Sequence, residues 1–149
     1  MKTLKNKDGA VLIEFAIVLP LLLILIFASI EFGILFFDKA MITNASREAA
    51  RAGIVLTDDT PPYNNEDYVE GVALDYLRQG SGWRLITFGS VTEPVVNAPD
   101  PDSWSQGTPR TVTVSYTYDF LVLPNLAFFG AMGIPGTITI DAQSTMRLE

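Results

Sequence analysis

At 149 residues the chain has room for one membrane anchor and one small domain, since domains commonly hold ~50–200 residues. It contains no Cys and no His, which excludes disulfides, thiol catalysis, imidazole bases and the usual zinc ligands, so neither an enzyme nor a metal or other cofactor is expected. The net charge of −7 is unevenly spread: Lys2, Lys5 and Lys7 against Asp8 leave residues 1–9 at +2, while four Arg against twelve Asp or Glu leave the chain from Ile54 onward at −8, a surface unsuited to nucleic acid.

The chain opens on a long apolar run. Between Glu14 and Glu31 lie sixteen uncharged residues, about 24 Å of helix and short of the ~30 Å hydrocarbon core. A span from Ala10 to Ile30 holds twenty-one residues, roughly 31 Å, and places Glu14 inside it. An ionised acid in lipid costs on the order of 3 kcal/mol and calls for a partner. The lysines before the span put the N-terminus in the cytoplasm and the acidic remainder outside. Pro20 predicts a kink. A cleavable secretion signal fits poorly, because the run is too long, Glu14 breaks its start, and Phe27-Ala28-Ser29 offers no small-x-small site.

Gly9 followed by Ala10, Val11, Leu12, Ile13, Glu14 and Phe15 resembles the prepilin processing site G/xxxxE[FY], in which the acid is the fifth residue of the mature chain. Together with Leu19-Pro20-Leu21, Glu31-Phe32-Gly33 and the run Ala45 to Arg51, it is similar to the TadE-like family, pseudopilins of the tight-adherence (Flp) pilus machinery, over residues 9–51. The resemblance implies cleavage after Gly9 by a prepilin peptidase, leaving Ala10 as the new amino terminus. It also implies that Glu14, beside Phe15 in the motif, pairs with the amino terminus of a neighbouring subunit, which would compensate the acid's desolvation. Snorkelling of Glu14 to the headgroups is the plain alternative.

Beyond Glu31 the helix is expected to continue with Phe32, Leu35, Phe36 and Ile42 as its apolar stripe and Asp38 and Lys39 on other faces. Arg47, Glu48 and Arg51 share a charged face near its end, either a docking face or a solvated surface. Gly53 reads as its C-terminal cap. A linker holds Pro61 and Pro62. Asn64 or Asn65 then caps a second helix with a stripe of Val69, Val72, Ala73, Tyr76 and Leu77, stopping at Gly80.

Leu85 to Thr92 is rich in β-formers, with a bulge or bend at Gly89. Glu93 to Pro109 holds four prolines and reads as a long exposed loop, in which Trp104 either meets a partner or covers the domain edge. Asp100 and Asp102 lack the Gly and distal Glu of a calcium loop. Clean alternation runs from Thr111 to Phe120, with Val112, Val114, Tyr116, Tyr118 and Phe120 on one face, and again through Ile138, Ile140, Ala142, Ser144, Met146 and Leu148. Between them Leu121 to Pro135 carries no charge; Phe128 and Phe129 lie either in the core or in an apolar patch.

The expected fold is therefore α+β and pilin-like: a long N-terminal transmembrane helix, then a second helix packed on a small antiparallel sheet. Residues 1–9 form a basic leader, 10–53 the long helix with its span at about 10–30, and 54–149 an extracytoplasmic domain. The expected function is that of a pseudopilin in pilus assembly, anchored in the cytoplasmic membrane. Its partners would be membrane lipid, a prepilin peptidase, other pilins or pseudopilins, and Tad assembly proteins. The alternative is an uncleaved single-pass protein with an external binding or scaffolding module.

Overall fold

The computed structural model describes residues 7–55, 65–89, 91–121, 133 and 135–149. One helix, α1 (Lys7–Ala52), runs unbroken for 46 residues and carries Pro20 inside it. At ~1.5 Å per residue it is about 69 Å long. No described residue from Gly9 to Ile30 is buried; from Glu31 onward every turn has a buried or half-buried face.

That face runs through Glu31, Ile34, Leu35, Asp38, Met41, Ile42, Ala45, Ser46, Ala49 and Ala50, three or four residues apart, as one helix side requires. It is the expected one only in part: Leu35 and Ile42 lie on it, but Phe32 and Phe36 do not. Asp38 points inward and is fully buried, whereas Phe32 and Phe36 face out, Phe36 at 70% exposure. The side chains at the contact explain the choice. Ala45, Ser46, Ala49 and Ala50 let the sheet approach the helix axis closely, while a phenylalanine there would hold it off.

A second helix, α2 (Glu66–Leu77), begins at Asn65, whose side chain accepts from the Tyr68 N–H at 3.1 Å. Acidic Glu66 and Asp67 sit in its first turn, the favourable end of the helix dipole. Val69, Ala73 and Leu77 are buried against α1 and the sheet. The helix stops three residues before Gly80, because the chain turns into a small hairpin, β1 (Arg78–Gln79) with β2 (Gly82–Trp83). Gly80 supplies the positive φ, +62°, that the tight turn needs.

The main sheet is antiparallel in the order β3 (Val95–Asn97), β4 (Pro109–Asp119), β5 (Thr137–Arg147). The expected alternation of β4 holds: Val112, Val114, Tyr116 and Tyr118 are buried, and the intervening Thr and Ser positions lie on the opposite face. In register, Val114 faces Ala142, Tyr116 faces Ile140 and Tyr118 faces Ile138. On the outer face Thr111 and Thr145 share a hydrogen bond at 2.8 Å. The chain end is tied in as well, through the Glu149 N–H donating to the Ile54 carbonyl at 3.0 Å.

Two expectations about the middle of the chain are corrected. Leu85 to Thr92 forms no strand among the described residues. Its groups are engaged otherwise: the Ile86 N–H donates to Asp38 Oδ1 at 2.9 Å, and the Thr87 hydroxyl donates to the Asp119 carbonyl at 3.2 Å and accepts from the Asp119 N–H at 3.1 Å. The third strand forms instead inside the proline-rich stretch, as a three-residue edge strand directly after buried Pro94. An edge tolerates the proline, which would interrupt a central strand. The uncharged stretch from Leu121 to Pro135, with Phe128 and Phe129, lies largely outside the described residues.

Candidate functional site

The first half of α1 carries Gly9, Ala10, Glu14 and Phe15 on its opening turns. Gly9 and Ala10 are helical, near the start of the described part of α1. Glu14 is exposed, flanked on its face by Val11, Phe15 and Val18, and has no hydrogen-bond or ion-pair partner among the described residues. Among the described residues none of this stretch is buried by the rest of the protein. Among the described residues α1 is the one helix long and apolar enough to cross a membrane, and its most apolar window is entirely unburied.

Glu31 and Asp38 begin the second half, and both acids are withdrawn into the protein. Glu31 is buried, accepts from the Leu121 N–H, and has its carbonyl 3.5 Å from the Tyr118 hydroxyl, which donates to it. Asp38 uses one oxygen for the Ile86 N–H; the other, Oδ2, is buried and has no hydrogen bond among the described residues. Burial pushes the Asp38 carboxyl up to about 6, with the Ile86 N–H pulling the other way. Burial also raises the phenols of Tyr116 and Tyr118 to about 12, reinforced in Tyr116 by Asp38 and Asp119 and in Tyr118 by Glu31 and Asp38. Neither phenol ionises near neutrality, so both act as rigid apolar bodies with a polar tip.

At the far end of α1, Arg47, Glu48 and Arg51 are all exposed, and among the described residues no ion pair joins them. Gly53 follows the helix with its N–H donating to the Ala49 carbonyl at 3.0 Å. Its φ is not positive, so the expected left-handed cap is absent. What makes glycine fit is proximity: a Cβ there would stand 3.0 Å from both the Arg110 side chain and Val69 Cγ2.

Arg110 is the residue that sequence reading missed. It is 1% exposed and donates to the carbonyls of Gly53 and Ala98, both at 3.3 Å, and to Asp100 Oδ1 at 3.2 Å, with the Trp104 ring 5.4 Å from its guanidinium carbon. Burial lowers its pKa, opposed by Asp100 and Glu66. It thus places a cation at the negative end of α1 and ties that end to β4 and to the loop after β3. Trp104 covers this guanidinium, and Asp100 serves as its counter-ion. The available signal was phase: Arg110 falls on the inward parity of Val112, Val114, Tyr116 and Tyr118.

These features give a helix with two environments. One end offers an unpartnered acid on a surface fit for lipid; the other is bolted into an α+β body by buried polar groups. No catalytic constellation is present among the described residues, and no group of three or more acids is placed to hold a metal there. Comparison with curated proteins and with solved structures returned no match. Residues 9–51, which are α1 from its first turn to its last, match the family model described as TadE-like protein.

Proposed function

We propose that this chain is a membrane-anchored pseudopilin, cleaved after Gly9 by a prepilin peptidase and acting in the assembly of a Tad/Flp-type surface pilus. The observation that carries the reading is Glu14, an acid left uncovered on a helix half whose other exposed residues suit lipid. Inside a bilayer such an acid calls for a positive partner. After cleavage the new amino group of Ala10 on a neighbouring subunit supplies one, and the pair stabilises side-by-side packing of helices. The TadE-like match, which begins at Gly9, supports the same assignment. The anchor lies in the cytoplasmic membrane with the basic leader inside and the α+β body outside. Arg47, Glu48 and Arg51 form an exposed face through which another pilin or a Tad assembly protein docks.

Intact mass of the membrane-extracted protein, produced with and without a prepilin peptidase, tests the proposal. Loss of residues 1–9 in the presence of the peptidase is the expected result. The same full-length mass in both would leave an uncleaved single-pass protein with an external scaffolding module. A Glu14→Ala variant is expected to be cleaved yet fail to co-isolate with other pilus subunits; normal co-isolation would remove the pairing role.

A further inference from the structure

The end of the α+β body nearest the span has an inverted surface. Its acids are turned in: Glu31 and Asp38 are buried and Asp119 is half-buried. Its large apolar side chains are turned out: Phe32, Phe36 and Phe37 on α1, Ile86 and Phe88 in the segment between β2 and β3, and Ile138 at the start of β5 are all more than 40% exposed. These residues belong together in space. The Ile86 N–H is bound to Asp38, Thr87 is bound to Asp119 at the end of β4, and Ile138 pairs with Tyr118 one residue before that end. They form a collar around α1 where it enters the body.

The opposite end has the usual polarity. Around Pro109 and Arg147 the exposed charged groups are Arg47, Glu48, Arg51, Asp100, Asp102 and Glu149, and they outnumber the exposed large apolar side chains beside them, Val55 and Trp104. A soluble body immersed in water on all sides has no reason to differ between its ends in this way.

We propose that this collar rests on the lipid of the leaflet from which α1 emerges, so that the body sits on the membrane surface. The proposal rests on the membrane anchorage described above. Continuity with the span identifies the occupant. α1 is one unbroken helix, the span ends near Ile30, and Glu31 is already held by the body, so no linker separates the two. Phe36 then lies about 9 Å beyond Ile30 along the axis, at the depth of the headgroup layer. Glu31 lies next to the bilayer edge, and the Leu121 N–H that it accepts replaces the water it would otherwise need. The collar thereby extends the lipid contact of the span sideways over the body.

The absence of Cys from the chain makes the test direct. Single variants Ile26→Cys, Phe36→Cys, Phe88→Cys, Ile138→Cys and Ser105→Cys of the full chain are labelled with a polarity-sensitive fluorophore. They are then reconstituted in phosphatidylethanolamine/phosphatidylglycerol vesicles bearing acyl-chain quenchers, with circular dichroism confirming unchanged folding. Quenching is expected at Ile26, at about half that extent at Phe36, Phe88 and Ile138, as suits the headgroup boundary, and negligibly at Ser105. Quenching at Ile26 with none at Phe88 and Ile138 would overturn the proposal and leave the anchorage standing. No quenching at Ile26 would overturn the anchorage and the proposal with it. Disulfide formation between copies through Phe88→Cys, in place of lipid quenching, would assign the collar to a second copy of this chain and overturn its assignment to lipid.

Discussion

The two halves of α1 share one backbone and obey opposite rules. From Gly9 to Ile30 large apolar side chains point outward on every side, and one acid, Glu14, stands among them uncovered. From Glu31 to Ala52 the outward side carries charges and aromatics, while the buried side combines Ile34, Leu35, Met41 and Ile42 with small residues and two acids held by backbone donors. The first half is specified by its solvent: any surface of sufficient length and hydrophobicity suits lipid. Individual contacts specify the second half. Burial of apolar surface cannot distinguish a helix that slides along the sheet from one in register, but Glu31, Asp38 and Arg110 each demand particular partners, and a slip of one turn would strand all three. We take these polar groups to be what fixes the height of the body on the span.

The sharpest way to break that contrast is Arg110→Ala. The substitution removes donors from two buried carbonyls and the cation from the end of α1, and it opens a space under Trp104. Chemical denaturation of the detergent-solubilised protein should show a loss of about 3 kcal/mol, an exposed Asp100 partner contributing little of it. An unchanged midpoint would mean that the small-residue face alone holds the helix.

Much of the architecture was legible before the structure. Strand β4 declared itself by period-two alternation, the long apolar helix by its uninterrupted run, and the start of α2 by the Asn64-Asn65 pair, because each signal is contiguous in the chain. What stayed hidden was which side of α1 faces inward. Phe32 and Phe36 look like core and Asp38 looks like surface until the Ile86 N–H, 48 residues away in the chain, is placed against the acid. The edge strand was hidden for a related reason: among the β-formers at Leu85 to Phe88 the Ile86 N–H is taken by Asp38 and the Thr87 hydroxyl by the Asp119 backbone, and the pairing passed to a stretch with weaker local preference. Of the candidate site, Glu14 was legible because a charge in an apolar run is a local anomaly, and Arg110 was not, because its meaning depends on the parity of a strand whose first residues were placed too late.

Asp38→Asn sharpens the comparison from the other side and should stabilise the protein. The Asp38 carboxyl titrates at about 6 in the folded chain against 3.8 as its ordinary value. An acid raised in this way favours the folded state below about pH 4, and that contribution is lost as pH rises through about 6. At neutral pH the ionised side chain is therefore a cost, which asparagine removes while its Oδ1 still accepts from the Ile86 N–H. The variant should exceed the natural protein by on the order of 1–3 kcal/mol at pH 7.5, with the difference shrinking toward zero by pH 4. Tyr116 and Tyr118, which face the acid, titrate at about 12 and do not alter this window. Equal stability of the two proteins across the range would show that water or a cation reaches Oδ2.

Leu22→Ala should do almost nothing to the stability of the α+β body. Leu22 is half-exposed on a turn of α1 that holds no buried residue, so among the described residues its truncation removes no packing partner and opens no cavity. Alanine keeps the helix, and the transfer term for the lost methyl groups is paid between lipid or detergent and the side chain in folded and unfolded body alike. The midpoint of denaturation should stay within about 0.5 kcal/mol of the natural protein. Ile42→Ala, about five and a half turns along the same helix at a fully buried position, is the matched control and should lose several times as much. A Leu22→Ala loss comparable to that of Ile42→Ala would mean that the span and the body unfold as one unit, and that the division of α1 at Glu31 is one of surface chemistry without being one of stability.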